Sequence, residues 1–553
     1  MQRSRKILGF MSMLLAGSLL LTACGPKTPA PTGENKTPAP AAAKKPAVGG
    51  ELTLIMQKDP DNFNTILSST AYGSQVYSYT NSSLFEYTDK WEPKGHLAES
   101  WSFSPDNKTM TIKLRQGIKF HDGSDLTADD VVFTFKSIMD KDYTGPRKSN
   151  VKYVQDISAV DKTTVKVDLK EPNAAIFSHL STPILSKKAF EGVAVKDFDK
   201  APATMKPMGS GPYKFVEYVR GQYVTLERND AWFAKDLNAK EGVAAPFAKT
   251  VRFKIIPESA TQQAALENGE VDYHTPEASN IARMEKDMKD KFTFVNYERN
   301  GFGYMTLNVE RPHLNIKEVR QALDFALDKQ SIIDGLMDGR AVIPAGPIPP
   351  VSWAYDPSIK ARAFDKAKAK ELIAKAGYKL NAQGVAEKDG QPLKLAFYGS
   401  AGSPLIEGIA AIAKKNWKEI GVDLDVQLMD FNAMMDNYLK PGKFDVSFSG
   451  FSLSLDPDQQ ALWHSTQVSG FNRGRYNNPK VDQLLEQGVR ELDQNKRKPI
   501  YSDFQKILQD DTPAIFVYAN KYTDTVSKKV KGGIRNFPGS GATDIFGWWV
   551  SEQ

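Results

Sequence analysis

The sequence predicts a large α/β protein whose body has two unlike parts. Up to about residue 300, hairpin-like strands with a few helices are typical of a compact α+β unit. From about residue 301, strands and helices alternate, which favours crossover connections and a largely parallel sheet. The chain has 553 residues, of which 41% are hydrophobic and 10% aromatic. That is enough for a large core and too long for a single domain.

The strands of the first part are indicated by alternating, β-branched sequences. We expect them in ELTLIM (51–56), YVTLER (223–228) and TVRFKII (250–256). The stretch ESWSFSPDNKTMTIKLR predicts a hairpin with its turn at Ser104 to Lys108. A helix should begin after Thr127, because this residue is a good N-cap and Asp130 lies near the positive end of the helix dipole.

The second part opens with the helical pattern EVRQALDFALDKQSIIDGLM, which places Val319, Leu323 and Ile333 near one face. Strands are then expected in PLKLAFYG, VDLDVQLMD, FDVSFSGF and PAIFVYA. Helices are expected in PLIEGIAAIAKKNWKEIG, in NAMMDNYLK and at about 479–492 and 496–509.

Residues 1–23 have the basic head and short apolar core of a secretory signal peptide. Cys24 is the only cysteine, and it follows Leu21 and Ala23 as in the bacterial lipobox. This resemblance predicts lipidation of Cys24 and a membrane anchor. An ordinary cleaved signal with a chance cysteine is the alternative, and a disulfide is excluded because the chain has no partner for it.

Residues 24–50 are rich in Pro, Ala, Lys and Thr, and they predict a disordered tether. The full chain has 72 Lys and Arg against 66 Asp and Glu, whereas residues 1–50 have seven against one. The body after residue 50 is therefore neutral, with 65 of each sign. A neutral body gives no reason to expect a nucleic-acid partner.

The sequence lacks the common signatures of secreted enzymes. It has no HExxH, no GxSxG, no phosphate loop and no paired-cysteine metal site. The six histidines are scattered, and His121 in HDG is expected at a turn. We therefore predict a protein without catalytic residues, metal or cofactor, although a glycosidase-like carboxylate pair stays open.

Several landmarks occur in an order typical of one family. They are LAESWSFSPDNKTMTIKLRQGIKFHDGSDLTADDVVFTF, GSGPYKF, AALENGEVDY, MTLNVERPHLNIKEVRQALDFALDKQSII and NPKVDQLLEQG. The chain resembles the peptide-binding lipoproteins of bacterial ABC importers, the dipeptide/oligopeptide (family 5) branch of the extracellular solute-binding proteins. The resemblance extends from about Gly50 to Trp549.

The resemblance implies a bilobal, class II periplasmic-binding-protein-like fold with two hinge crossovers and an inserted α+β domain. Domain I would comprise 51–82, 209–300 and 525–553. Domain II would be 83–208, and domain III would be 301–524.

The resemblance also implies a function, namely an extracytoplasmic, lipid-anchored monomer that binds oligopeptides between its lobes. Its partners would be the peptide, the membrane and the permease subunits with their cytoplasmic ATPases. Strand-like hydrogen bonds would hold the peptide backbone. A nickel chelate, haem or an oligosaccharide as the solute, a peptide sensor for signalling, and an anchored hydrolase stay as alternatives.

The segment FDVSFSGFSLSLDPDQQALWHS is expected to contact the ligand. Gly450 and Phe451 match the Gly-Trp of the family. The family's ligand-binding aspartate is replaced by Ser454, in an interval one residue short. Asp456 and Asp458 are the acids left in the segment, and Asp456 has a turn role with Pro457 as its alternative. Further expected pocket residues, each with a core role as its alternative, are Tyr72, Phe302, Tyr304, Asn308 and Trp463.

Overall fold

The computed structural model describes residues 49–235, 246–468, 470–532, 536–537, 541–542 and 547–550. The predicted signal peptide, Cys24 and nearly all of the tether lie outside the described residues. Among the helices that are described, none has both the length and the apolar character of a membrane span.

One mixed sheet extends through the body. In the described part of the chain it has twelve strands. We call Ala514–Ser527 the shared strand, because it pairs with Gly301–Leu307 near its beginning and with Tyr273–His274 near its end. Across the sheet, ten strands follow in the order Asp423–Met429, Lys394–Ser400, Val446–Ser452, Gly301–Leu307, Ala514–Ser527, Tyr273–His274, Glu51–Met56, Thr250–Ile255, Tyr223–Arg228 and Tyr213–Val219. Phe292–Glu298 and Ala341–Val342 also pair with the shared strand.

We call the strands from Tyr273–His274 to Tyr213–Val219 the first half of this sheet, and those from Asp423–Met429 to Gly301–Leu307 the second half. The first half confirms the strands predicted from alternation. Glu51–Met56 lies parallel to Thr250–Ile255 along its whole length. Leu52, Leu54 and Met56 alternate with more exposed residues and point into the core. Burial of every second side chain is the reason why this sequence forms a strand here.

A separate four-stranded antiparallel sheet contains the predicted hairpin. Its strands are Ala98–Phe103, Thr109–Leu114, Thr164–Leu169 and Val154–Asp161, in spatial order. The helix Ala128–Met139 packs against this sheet and begins with the predicted cap. The Thr127 N–H donates to the Asp130 carboxylate at 2.9 Å, which satisfies a backbone donor ahead of the first helical turn.

The second half of the main sheet is mixed, so the prediction of a largely parallel sheet is wrong there. Lys394–Ser400 is parallel to both of its neighbours, as expected for strands joined by helical crossovers. Val446–Ser452 and Gly301–Leu307 are antiparallel to each other, and Gly301–Leu307 is antiparallel to the shared strand. The local alternation of strand and helix gives no information about the direction of strands that join the sheet from distant parts of the sequence.

The segment predicted as one helix from residue 318 forms two. The first helix is Lys317–Phe325, and the second is Lys329–Leu336. Asp328 caps the second helix, because its side chain accepts a hydrogen bond from the Ser331 N–H at 3.0 Å. The remaining longer helices are Ala71–Thr80, Ser259–Glu267, Ala278–Asp287, Lys366–Lys375, Pro404–Lys418, Pro479–Arg490 and Gln494–Asp511.

The other described elements are short. The helical ones are Lys148–Val151, Ile176–His179, Lys188–Phe190, Val195–Lys200, Pro202–Met205, Phe431–Met434, Met435–Leu439, Gln460–Trp463 and Ser465–Gln467. The strands are Phe85–Tyr87, Pro93–Gly95, Lys379–Leu380, Ala386–Lys388, Gln391–Pro392, Val530–Lys531, Asn536–Phe537, Gly541–Ala542 and Trp549–Val550.

Candidate ligand-binding groove

A groove borders the shared strand where the two halves of the sheet meet. It includes three cavities of about 140, 360 and 490 Å³, and a larger cavity of about 670 Å³ adjoins the second of these. Of the three, the first two share Asn520 and Tyr522, and the last two share Thr275 and Glu277. Leu405, from the second half, lines the middle cavity opposite Thr275, from the first half. The groove is therefore long and has walls from both halves.

The strand Val446–Ser452 has an open edge on the groove. All seven of its residues pair with Gly301–Leu307 on one side. On the other side, only Val446 and Ser447 pair with Lys394–Ser400. The last five residues of the strand are therefore paired on one side only, within the described residues.

The backbone groups of this edge face outward at alternate residues. The Leu453 N–H donates to the Asn300 carbonyl at 2.8 Å. In an antiparallel ladder, the residues between such bonded pairs direct their N–H and C=O groups to the opposite edge. Gly450 and Ser452 are the residues concerned, and both are exposed. An unpaired edge of this kind is a template for another extended chain.

Two of the predicted aromatic residues line the small cavity. Phe302 and Phe451 are cross-strand partners, and both border the space next to Gly450. A side-chain carbon at Gly450 would lie 3.9 Å from the Phe302 carbonyl oxygen and would otherwise meet open space. The cavity therefore begins directly at the Gly450 backbone.

Three other predicted pocket residues are buried away from these cavities. Tyr304 and Trp463 belong to one apolar cluster with Phe516. Asn308 is completely buried, and its side-chain amide donates to the carbonyls of Gly442 and Phe444. These contacts give the three residues a structural role.

Asp456 forms a buried ion pair. Its two carboxylate oxygens accept hydrogen bonds from Arg497 at 2.8 Å each, and the exposed fractions of the two side chains are 9% and 5%. A bidentate pair of this kind is strong and fixed in direction. The charge of Asp456 is therefore already neutralised within the protein.

Asp458 has no such cation. It accepts one hydrogen bond, from the Gln460 N–H at 2.9 Å, and no described Lys or Arg lies at ion-pair distance. Burial raises the pKa of Asp458 to about 6, with Asp456 adding to the effect and Arg497 and Lys152 opposing it. Of the two acids that the sequence offers in this segment, Asp458 is the one without a cation at ion-pair distance among the described residues.

Ser454 is the residue that the sequence predicts at the position of the family's ligand-binding aspartate. Its hydroxyl donates to the Asp456 carbonyl at 2.8 Å, and its carbonyl accepts from the Asn300 side chain at 2.6 Å. Ser454 therefore shapes the loop between the open edge and the two acids.

Tyr72 contacts a residue that lines the far end of the groove. Its hydroxyl donates at 3.2 Å to the side chain of Gln57, which lines the cavity of about 490 Å³. Polar side chains dominate this cavity, including Gln263 and His274. Burial lowers the pKa of His274 to about 4, so its ring is neutral at physiological pH.

Sequence reasoning missed Arg299, Asn520 and Tyr522. Arg299 precedes the predicted NGFGY segment, and an arginine two residues before a strand that borders the groove was the available signal. In the described residues, no group of three or more His, Cys, Asp or Glu side chains is placed to hold a metal ion.

Two lobes joined through a common sheet, with an elongated groove between them, define a solute-binding protein of the bilobal class. The Bacterial extracellular solute-binding proteins, family 5 Middle, model matches residues 92–473. The chain therefore belongs to the family 5 solute-binding proteins of bacterial ABC importers. The family supports an extracytoplasmic location.

Relatives cover nearly the whole chain. The oligopeptide-binding protein AppA of Bacillus subtilis is 29% identical over the full length of both chains. Its structure in complex with a nonapeptide has a TM-score of 0.71 and covers 92% of this chain and 100% of its own. The substrate-binding protein CtaP of Listeria monocytogenes is 30% identical with a TM-score of 0.78, covering 91% of this chain and 100% of its own. Heme-binding protein A of Haemophilus influenzae is 26% identical, over 95% of this chain and 96% of its own.

Proposed function

We propose that this protein is a membrane-anchored receptor that binds oligopeptides in the groove and delivers them to an ABC permease. The open edge of Val446–Ser452 carries the proposal. An extended peptide has a donor and an acceptor at every residue, and it can add to this edge as a further strand. The AppA complex with a nonapeptide supports a peptide as the solute.

Ligand binding would close the two lobes. Asn520 and Tyr522 are on the shared strand between the halves, and the middle cavity has walls from both. A ligand that contacts both walls binds the closed state more tightly than the open one. The closed state would then be the form that the permease recognises.

Within this proposal, Asp458 receives the α-ammonium of the peptide. A half-buried carboxylate without a cation is costly, and a ligand ammonium would offset that cost. The groups that face Asp458 are Asp456, Arg497, Lys152 and Tyr501. Since Arg497 is held by Asp456, the ligand would supply the missing positive charge.

Peptide affinity is expected to rise about tenfold between pH 5 and pH 7, because Asp458 must lose its proton to pair with the ammonium. The affinity rises with pH because the carboxyl gains its negative charge, and it does so near pH 6 because the pKa of Asp458 is raised from 3.8 to about 6. Titration calorimetry at pH 5, 6 and 7 measures the effect. An N-acetylated peptide and the Asp458→Asn variant should both lack the pH dependence. An equal dependence in all three would exclude Asp458 as the acceptor.

The solute itself is tested by purifying the protein under native conditions, denaturing it and identifying the released molecules by mass spectrometry. A heterogeneous set of oligopeptides is the expected result. Haem or another single non-peptide species would contradict the peptide proposal and leave the receptor class intact. Haem is the rival to test first, because one relative is a heme-binding protein.

The membrane anchor is tested at Cys24. The Cys24→Ala variant should appear in the soluble fraction, whereas the wild-type protein should sediment with membranes, because two acyl chains give a stable anchor. A Ser18→Ala variant in the apolar run serves as the matched control. Unchanged membrane retention of Cys24→Ala would exclude lipidation as the anchor.

A further inference from the structure

The cavity of about 140 Å³ has one cationic lining residue, Arg299, among aromatic and small polar neighbours. Its guanidinium lies over the Tyr522 ring, 5.7 Å from the centroid. Within the described part of the chain, no carboxylate is within ion-pair distance of it, and its side chain is exposed. The arginine therefore has a stacking partner but no counter-charge.

The position of Arg299 is fixed by the sheet. Its backbone N–H donates to the Asn520 carbonyl at 3.0 Å. This bond continues the pairing of Phe292–Glu298 with the shared strand, in which Tyr297 is opposite Tyr522. The cation–π contact with the Tyr522 ring leaves the N–H groups of the guanidinium able to donate to a ligand. The sheet thus fixes the backbone of Arg299, and Tyr522 provides a contact for its guanidinium.

The open strand edge is at the same cavity. Gly450 and Ser452 line it together with Arg299. A peptide whose backbone adds to that edge would have its own groups next to the guanidinium. A guanidinium group binds a carboxylate in a bidentate manner, through two parallel N–H···O hydrogen bonds.

We infer that Arg299 is a specificity-determining residue that binds a carboxylate of the peptide ligand in the small cavity. The inference rests on the proposed function. The carboxylate can be the carboxyl terminus of a short peptide or the side chain of an Asp or Glu residue in a longer one. The contact with the guanidinium is the same in both cases. The two sources are distinguished by whether affinity falls when the carboxyl terminus is amidated or when the internal Asp residue is replaced by Asn.

The test compares peptides of one sequence in four forms by calorimetry. They have a free or amidated carboxyl terminus and an Asp or Asn residue within the chain. The wild-type protein should bind one carboxylate form at least tenfold more tightly than its neutral counterpart. Arg299→Gln should abolish that preference without weakening the neutral peptide, and Arg299→Lys should retain part of it.

Arg252→Gln is the matched control, since Arg252 also stacks on a tyrosine, Tyr223, but does not line any of the three cavities. This variant should keep the carboxylate preference. Binding of all four peptides with equal affinity by the wild-type protein would overturn the inference and leave the proposed function standing. Equal loss for charged and neutral peptides in Arg299→Gln would also overturn it. A wild-type protein that binds none of the peptides would overturn both.

Discussion

Replacing Arg497 with methionine is expected to lower the free energy of unfolding by about 3–5 kcal/mol. The change leaves the buried Asp456 carboxylate without its bidentate partner. It also removes a hydrogen bond from the guanidinium to the Gly488 carbonyl at 2.7 Å and the stacking over Trp353. Urea unfolding followed by circular dichroism measures the effect.

The control is an exposed ion pair, Lys440 with Asp436. Lys440→Met should change the unfolding free energy by no more than about 0.5 kcal/mol, because solvent screens exposed pairs. The double variant Arg497→Met with Asp456→Leu should recover part of the loss, since no unpaired charge is then buried. If Arg497→Met costs no more than Lys440→Met, the pair does not stabilise the fold.

Replacing Gly450 with leucine is expected to weaken peptide binding on the order of 100-fold, or about 2.7 kcal/mol. The new side chain would occupy the cavity that begins at the Gly450 backbone, where a ligand strand would lie. The fold should tolerate it, because the position is exposed and the added carbon meets open space. Calorimetry with a peptide found in the purified protein measures the loss.

Thr111→Leu is the matched control for this substitution. Thr111 is an exposed strand residue of the separate four-stranded sheet, so the same side chain is added away from the groove. Both variants should unfold at the same urea concentration as the wild type, within error. Full peptide affinity in Gly450→Leu would show that the ligand does not use this edge.

The sequence predicts helices and strands well where the contacts that stabilise them are local. The cap at Thr127 and Asp130 and the alternating strand Glu51–Met56 depend on neighbours a few residues apart. The break at Asp328 was missed, since the apolar face continues through it in sequence. The shared strand was predicted only at its first residues, because the polar stretch beyond them is paired with distant strands.

The site was harder to predict because its energetics depend on distant partners. Asp456 and Asp458 are equivalent in the sequence, and only the approach of Arg497, 41 residues away, distinguishes them. Tyr304 and Trp463 look like groove aromatics, yet they pack into a core cluster. The domain boundaries implied by the family resemblance stay a prediction.

The shared strand follows every other described strand of the main sheet in chain order, and this has a consequence for biogenesis. Both halves of the main sheet lack a strand until residues 514–527 are available. Chains emerge from the ribosome amino end first, and pairing between distant segments is slow. The nascent protein would therefore stay incompletely folded until residues 514–527 have been synthesised. Such a delay suits a polypeptide that must be threaded through a membrane before it folds.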